Sequence, residues 1–199
     1  MLVLDEEMSI RLPEEIVLQA NLKAGDLLQC SYSNRQIILL PKKVTIQCFG
    51  EFRLCLDGRD QSGVINSGKI EELLAYLLLQ DGKYVNKKRV AAALWPQLET
   101  ERGMDNLYKN IKKLQRLCAD NLPLQLEVIP EKLRLDLENV ESDIIIFEKL
   151  CGSKRQADLQ QALKLYQGQL FEWNNYEWCE IETGYYDWLF LSIRSKLYA

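Results

Sequence analysis

The chain has 199 residues, 47% hydrophobic and 27% charged, with a formal net charge of −4. This is the composition of folded, soluble protein with length for one or two domains, and it excludes wholesale disorder. The negative balance also excludes a protein that coats nucleic acid by bulk charge, so a DNA site has to be a local patch.

Cysteines stand at positions 30, 48, 55, 118, 151 and 179 without a C-x-x-C pair, and the chain has no histidine. Scattered thiols of this kind read as small, buried side chains in a reducing cytosol, and neither a metal nor a cofactor is expected. Without histidine the usual general base and the Ser-His and Cys-His nucleophile pairs are missing. No phosphate-binding glycine loop and no isolated carboxylate pair takes their place, since Glu14-Glu15 and Glu71-Glu72 read as helix starts or surface. The expectation is a protein that is not an enzyme. The N-terminus lacks a basic start and an apolar run, and no stretch approaches the ~20 apolar residues of a membrane span. A cytoplasmic location with no membrane partner follows.

Residues 1–43 read as a small β-rich unit. Leu2–Leu4 and Met8–Leu12 suit short strands, Pro13-Glu14-Glu15 opens a helical turn to about Ala20, and Ala24-Gly25-Asp26 is a turn. Leu27–Ser31 and Gln36–Leu40 then flank Tyr32-Ser33-Asn34-Arg35 as a hairpin. The run IRLPEEIVLQANLKAGDLLQCSYSNRQIILLPKK resembles the AbrB-like swapped-hairpin modules. That resemblance implies a homodimer, and in many such modules DNA contact by arginines beside the first hairpin. Here Asp5-Glu6-Glu7 is acidic and Ser9 stands where many members carry an arginine, so dimerisation is the function expected of this unit. Pro41-Lys42-Lys43 reads as a linker.

From Val44 the chain starts again. Val44, Ile46 and Cys48, then Phe52, Leu54 and Leu56, alternate with polar residues as two strands. Asp57-Gly58 and Arg59–Gly63 read as turn and loop, with Ser67 as the cap of a helix from Lys69 to Gln80 that carries Ile70, Leu73, Leu74, Leu77 and Leu78. Asn86 caps a second helix, Lys87–Trp95, ended by Pro96. A third helix, Gly103–Cys118, places Met104, Leu107, Ile111, Leu114 and Cys118 on one stripe. Its opposite side carries Lys109, Lys112, Lys113 and Arg116, with Asp105 the acid among them. From Lys83 to Arg116, nine basic residues (Lys83, Lys87, Lys88, Arg89, Arg102 and the four just named) oppose Glu99, Glu101 and Asp105, a balance of +6. Leu124, Leu126 and Val128, then Leu133, Leu135 and Leu137, form a hairpin around Pro130-Glu131-Lys132. Strands, three helices and a closing hairpin describe a winged helix-turn-helix with the third helix as reader.

The runs IQCFGEFRLCLDG, KIEELLAYLLLQDGKYVNKKRVAAALWP and SDIIIFEKL look like the OmpR-type winged helix of SARP-type regulatory activators, over about Val44 to Leu150. The similarity rests above all on LLAYLLL, AALWP and the end at Asp143, Phe147, Glu148 and Leu150. It implies a transcription factor on double-stranded DNA, with Asn106, Lys109, Lys112, Lys113 and Arg116 on the reader helix and Lys132 and Arg134 on the wing. Lys87, Lys88 and Arg89, at the start of the preceding helix, complete the candidate DNA contacts. The reader is mostly lysine, which binds phosphate as a point charge and forks to guanine less readily than arginine.

Residues 151–199 read as helical. Asp158 is a candidate cap, Leu159, Ala162, Leu163 and Tyr166 share a face, and Gly168 breaks the pattern. DLQQALKLYQGQLFEW and the helix ending LFLSIRSKLYA are similar to the start of the bacterial transcriptional activator domain, a TPR-like helical array. Phe171, Trp173, Tyr176, Trp178, Tyr185, Tyr186, Trp188 and Phe190 crowd this segment. Packing on the winged helix is the favoured use for them, and a docking surface for RNA polymerase or further repeats is the other.

The sequence thus describes a multidomain α+β protein: 1–43 a dimerisation module, 44–150 a winged helix, 151–199 a helical activator segment. The expected function is DNA-binding transcriptional regulation by a homodimer. The alternative is an interaction or scaffolding module whose winged helix no longer binds DNA.

Overall fold

Alternation and helical periodicity place most elements of the computed structural model, which describes residues 10–20, 22, 28–33, 36–41, 43–65, 67–120 and 122–198. The chain divides into two compact units, residues 1–42 and 43–199. The fold is α+β.

In the first unit, Pro13 leads into α1 (Glu14–Gln19), whose opening acids suit the positive end of the helix dipole and none of whose residues is buried. β1 (Leu28–Ser33) pairs antiparallel with β2 (Gln36–Pro41), from Leu28 opposite Pro41 to Ser33 opposite Gln36. Tyr32 and Ser33, expected in the turn, belong to β1, and Pro41 belongs to β2 rather than to a linker. Tyr32, Ile37, Ile38 and Leu39 are all exposed. The expected strand at Leu2–Leu4, the start of the one at Met8–Leu12, the Ala24-Gly25-Asp26 turn, Asn34, Arg35 and Lys42 lie outside the described residues.

The second unit opens with β3 (Val44–Gln47), which sends Val44 and Ile46 into the core, and β4 (Arg53–Leu56). Asp57 and Gly58 both take positive φ, 50° and 76°. That is the backbone of a two-residue turn matched to strand twist. The chain therefore returns as β5 (Arg59–Asp60), where the sequence suggested a loop. α2 (Gly68–Leu78) is the core helix, with Ile70, Leu73, Leu74, Leu77 and Leu78 all buried. Ser67 stands at its N-cap position but its side chain makes no capping bond. β6 (Val85–Asn86), α3 (Lys87–Leu94) and α4 (Thr100–Asp120) follow, then β7 (Gln125–Val128), β8 (Lys132–Asp136), β9 (Val140–Ser142) and α5 (Asp143–Cys151). One sheet has the order β5-β4-β3-β9 with β9 parallel to β3, and the other the order β6-β8-β7.

The unit is completed by α6 (Gln156–Leu165) and α7 (Glu180–Tyr198). Asp158 lies in the first turn of α6 and not at its cap, which is Arg155, and it accepts a bond from Ser153 Oγ at 2.6 Å. The segment after α6 runs along the start of the winged helix: Gly50 N donates to Gln169 O and Phe171 N to Cys48 O, both at 2.8 Å. Gly168 eases this approach, because an added Cβ would stand 3.1 Å from Gly50 Cα, tighter than an ordinary contact.

Aromatic rings seal this contact. Phe49 meets Phe147, Tyr166 and Tyr186 with centroids 4.8 to 5.5 Å apart. Tyr186 Oη donates to Glu148 at 2.9 Å. Asp143 accepts from the backbone N–H groups of Cys48, Phe49 and Ile144. Burial raises its carboxyl pKa while these bonds oppose the shift. Glu71 and Glu72 are not idle surface: Asn174 and Tyr176 donate to Glu71, and Trp178 Nε1 donates to Glu72 at 3.0 Å. Of the eight clustered aromatics, Phe171 and Tyr186 are buried and Tyr176, Trp178 and Phe190 pack against the core, while Trp173, Tyr185 and Trp188 stay exposed.

Candidate nucleic-acid interface

The helix-turn-helix is built by α3 and α4. Asn86 Oδ1 accepts from Lys88 N at 2.8 Å, satisfying one of the open N–H groups at the start of α3. α3 closes at Trp95, whose N–H reaches Ala91 O, and the next helix begins at Thr100. The residues expected to lead into the reader therefore form its first turn. Gly103 is buried where α4 meets α3, and a Cβ added there would stand in ordinary contact with Ala91 Cβ at 3.7 Å.

α4 segregates its sides sharply. Leu107, Ile111 and Leu114 are buried, and Met104, Leu117 and Cys118 pack partly buried beside them. Burial pushes the Cys118 thiol up to about 11, so it is a packing group and not a reactive one. Lys109, Lys112, Lys113 and Arg116 are all exposed, and none of them is ion-paired within the described residues. Asn106 is half-buried, its backbone carbonyl accepting Asn110 Nδ2 at 2.8 Å. Some cations elsewhere are bound to carboxylates, as in Lys43–Glu141 and Lys69–Glu72.

The wing is the β7–β8 hairpin, with Glu127 directly opposite Arg134. β6 extends the same sheet, Asn86 pairing with Lys132 and Val85 with Leu133. The start of α3 is thus stitched to the wing. Lys87 N donates to Glu131 O, and Lys87 Nζ donates to Pro130 O at 2.9 Å and stands 5.3 Å from the Tyr108 ring centre. Lys87 is only 5% exposed, so its charge is held inside the fold. Arg134 is likewise engaged: it forms an ion pair with Glu127 and lies 4.9 Å from the centre of the Tyr84 ring, while Tyr84 Oη donates to Glu127. Lys132 and Lys88 are exposed, and Arg89, also exposed, lies beside the Tyr76 hydroxyl.

The structure therefore sorts the ten candidates. Lys109, Lys112, Lys113, Arg116, Lys132 and Lys88 offer charge to solvent, Arg89 leans on Tyr76, Asn106 is half-buried, and Lys87 and Arg134 tie the wing together. Sequence reading missed β6 and the internal use of Lys87 and Arg134, since Pro130 beside Lys87 and Tyr84 beside Arg134 are distant in the chain. Position was the one available signal, because Lys87 follows the cap directly, where a side chain lies against the incoming strand. Among the described residues no helix is long and apolar enough to cross a membrane, and no group of His, Cys, Asp and Glu side chains could hold a metal ion.

No family model and no curated protein matches the chain. Among solved structures it is similar to Mycobacterium tuberculosis EmbR in complex with a low affinity phosphopeptide, with a TM-score of 0.65 and 14% identity over 78% of this chain and 45% of that one. The two share a fold, and the match spans less than half of the EmbR chain.

Proposed function

We propose that the protein is a DNA-binding transcriptional regulator of the SARP type that contacts double-stranded DNA through α4 and the β7–β8 wing, and that it has no catalytic activity. The observation that carries this reading is the exposed row of Lys109, Lys112, Lys113 and Arg116, which has no ion pair among the described residues, on a helix whose other side is core. An exposed helix fits the major groove, and unpaired cations are what phosphates attract. The likeness in fold to EmbR and the family resemblance of Val44–Leu150 support it. Lys132 at the wing and Lys88 at the start of α3 would add backbone contacts.

Residues 1–43 would make the protein a dimer. A unit this small seldom buries enough surface alone, and in a single chain its Ile37, Ile38 and Leu39 are left exposed. RNA polymerase is the partner an activator segment implies.

The deciding experiment is fluorescence anisotropy of the intact protein on a mixed-sequence duplex across a salt series. Phosphate contacts give a linear fall of log affinity with log salt, with a slope of about −0.9 for each phosphate neutralised. An absence of binding at low salt would leave the interaction-module reading in its place.

A further inference from the structure

β8 sends its side chains alternately inward and outward. Leu133 and Leu135 are fully buried, while Lys132, Arg134 and Asp136 face away from the core. Lys132 is exposed where the strand leaves the tip of the wing. Arg134, two residues on and roughly 7 Å along the strand, is the second cation of that face.

Arg134 does not offer its charge as Lys132 does. Glu127 stands directly opposite on β7, and Arg134 Nη2 donates to Glu127 Oε1. The other carboxylate oxygen accepts from Tyr84 Oη, and the guanidinium lies 4.9 Å from the centre of the Tyr84 ring. All three side chains are at the surface, Arg134 34%, Glu127 38% and Tyr84 42% exposed. An ion pair this exposed contributes little to stability. The wing is held besides by Lys87 and by the β6–β8 and β7–β8 ladders. The larger effect of Glu127 is on the charge that the wing presents.

Charge toward phosphate carries no sequence information. A cation that reaches the backbone binds every duplex alike, so it strengthens non-specific and specific binding together. Discrimination improves when such a contact is withheld and groups that read base edges supply more of the binding. Building on the DNA-binding function proposed above, we infer that Glu127 is a specificity-determining residue: it neutralises Arg134 and keeps one backbone contact of the wing from forming. Lys132 and the α4 row then hold the duplex, and Arg134 stays stacked on Tyr84, charged but occupied.

The test is Glu127→Gln in the full chain, read by fluorescence anisotropy on a mixed-sequence duplex across a salt series. Glutamine keeps the size of the side chain and an oxygen for Tyr84 Oη and Arg134, and removes the charge. Binding should tighten about twofold to fivefold at low salt, the span of one exposed pair. The slope of log affinity against log salt should steepen by about 0.9, one more phosphate. Adding Arg134→Gln should remove both gains. Unchanged or weaker binding, as when Asp136 takes over the guanidinium or Glu127 only shapes the wing, would overturn the inference, and so would a gain that survives the loss of Arg134. A wild-type chain that binds no duplex at low salt overturns the DNA-binding reading and this inference with it, whereas wild-type binding with an indifferent variant overturns the inference alone.

Discussion

Lys87 Nζ donates to the carbonyl oxygen of Pro130 at 2.9 Å, joining the first residue of α3 to the tip of the wing. The same ammonium faces the Tyr108 ring of α4, so one buried cation joins α3, α4 and the wing. Lys87→Met keeps most of the side-chain volume and removes both polar contacts. It should cost about 1 kcal/mol of stability and weaken DNA binding without changing the salt slope, because no phosphate contact is lost. Lys88→Met, by contrast, should lower the slope by about 1. Anisotropy over a salt series distinguishes the two.

The sides of α4 make opposite predictions. Lys109→Glu with Lys113→Glu should abolish DNA binding and leave the melting temperature nearly unchanged, since both side chains are exposed and make no ion pair among the described residues. Leu107 and Leu114 are fully buried. Leu107→Ala or Leu114→Ala should each cost roughly 2–5 kcal/mol, measured by urea unfolding.

The C-terminal segment should be a stabiliser of the winged helix. Phe147 lies buried in a ring cluster with Phe49, Tyr166 and Tyr186. Phe147→Ala should therefore cost about 3–5 kcal/mol. Ending the chain after Leu150 should uncover Phe49, Phe147 and Tyr76, lower the melting temperature and increase binding of an apolar dye. A shortened chain of equal stability would contradict the packing described.

Alkaline pH should loosen α4. The Cys118 thiol titrates at about 11 in the folded chain against an ordinary 9.0, because burial disfavours the thiolate. A pKa raised in the folded state means that the stability tied to this proton is complete below pH 9 and is lost as pH rises through about 11. Comparison of the wild-type chain with Cys118→Ala between pH 8 and 11 should show a steeper loss of unfolding free energy in the wild type.

Residues 1–43 should set the oligomeric state at low concentration. Light scattering on dilute intact protein should report a dimer, and a chain beginning at Val44 a lower mass. Pairing two winged helices would then favour half-sites about one or two helical turns apart and raise avidity through effective concentration. A monomeric intact chain would refute this.

Local periodicity alone determined much of this protein. The stripe of α4, the apolar run of α2, the Asn86 cap and the strands on either side of Pro130 all depend on neighbours within a few residues, so the sequence displays them directly. The α+β class and the exposed basic row followed from the same short-range pattern. Only the tertiary structure decided which charges are free. Lys87 and Arg134 look like any other cation in a basic stretch, and it is Pro130, Tyr108, Glu127 and Tyr84 that engage them. It also decided that Glu71 and Glu72 grip Asn174, Tyr176 and Trp178, that β9 runs beside β3, and that five of the crowded aromatics turn inward while three do not. Apart from Arg134 with Glu127, seven positions away, these pairings join residues about twenty to more than a hundred positions apart. Nothing in a residue's immediate surroundings encodes such a partner, because the contact exists only once the intervening chain has folded.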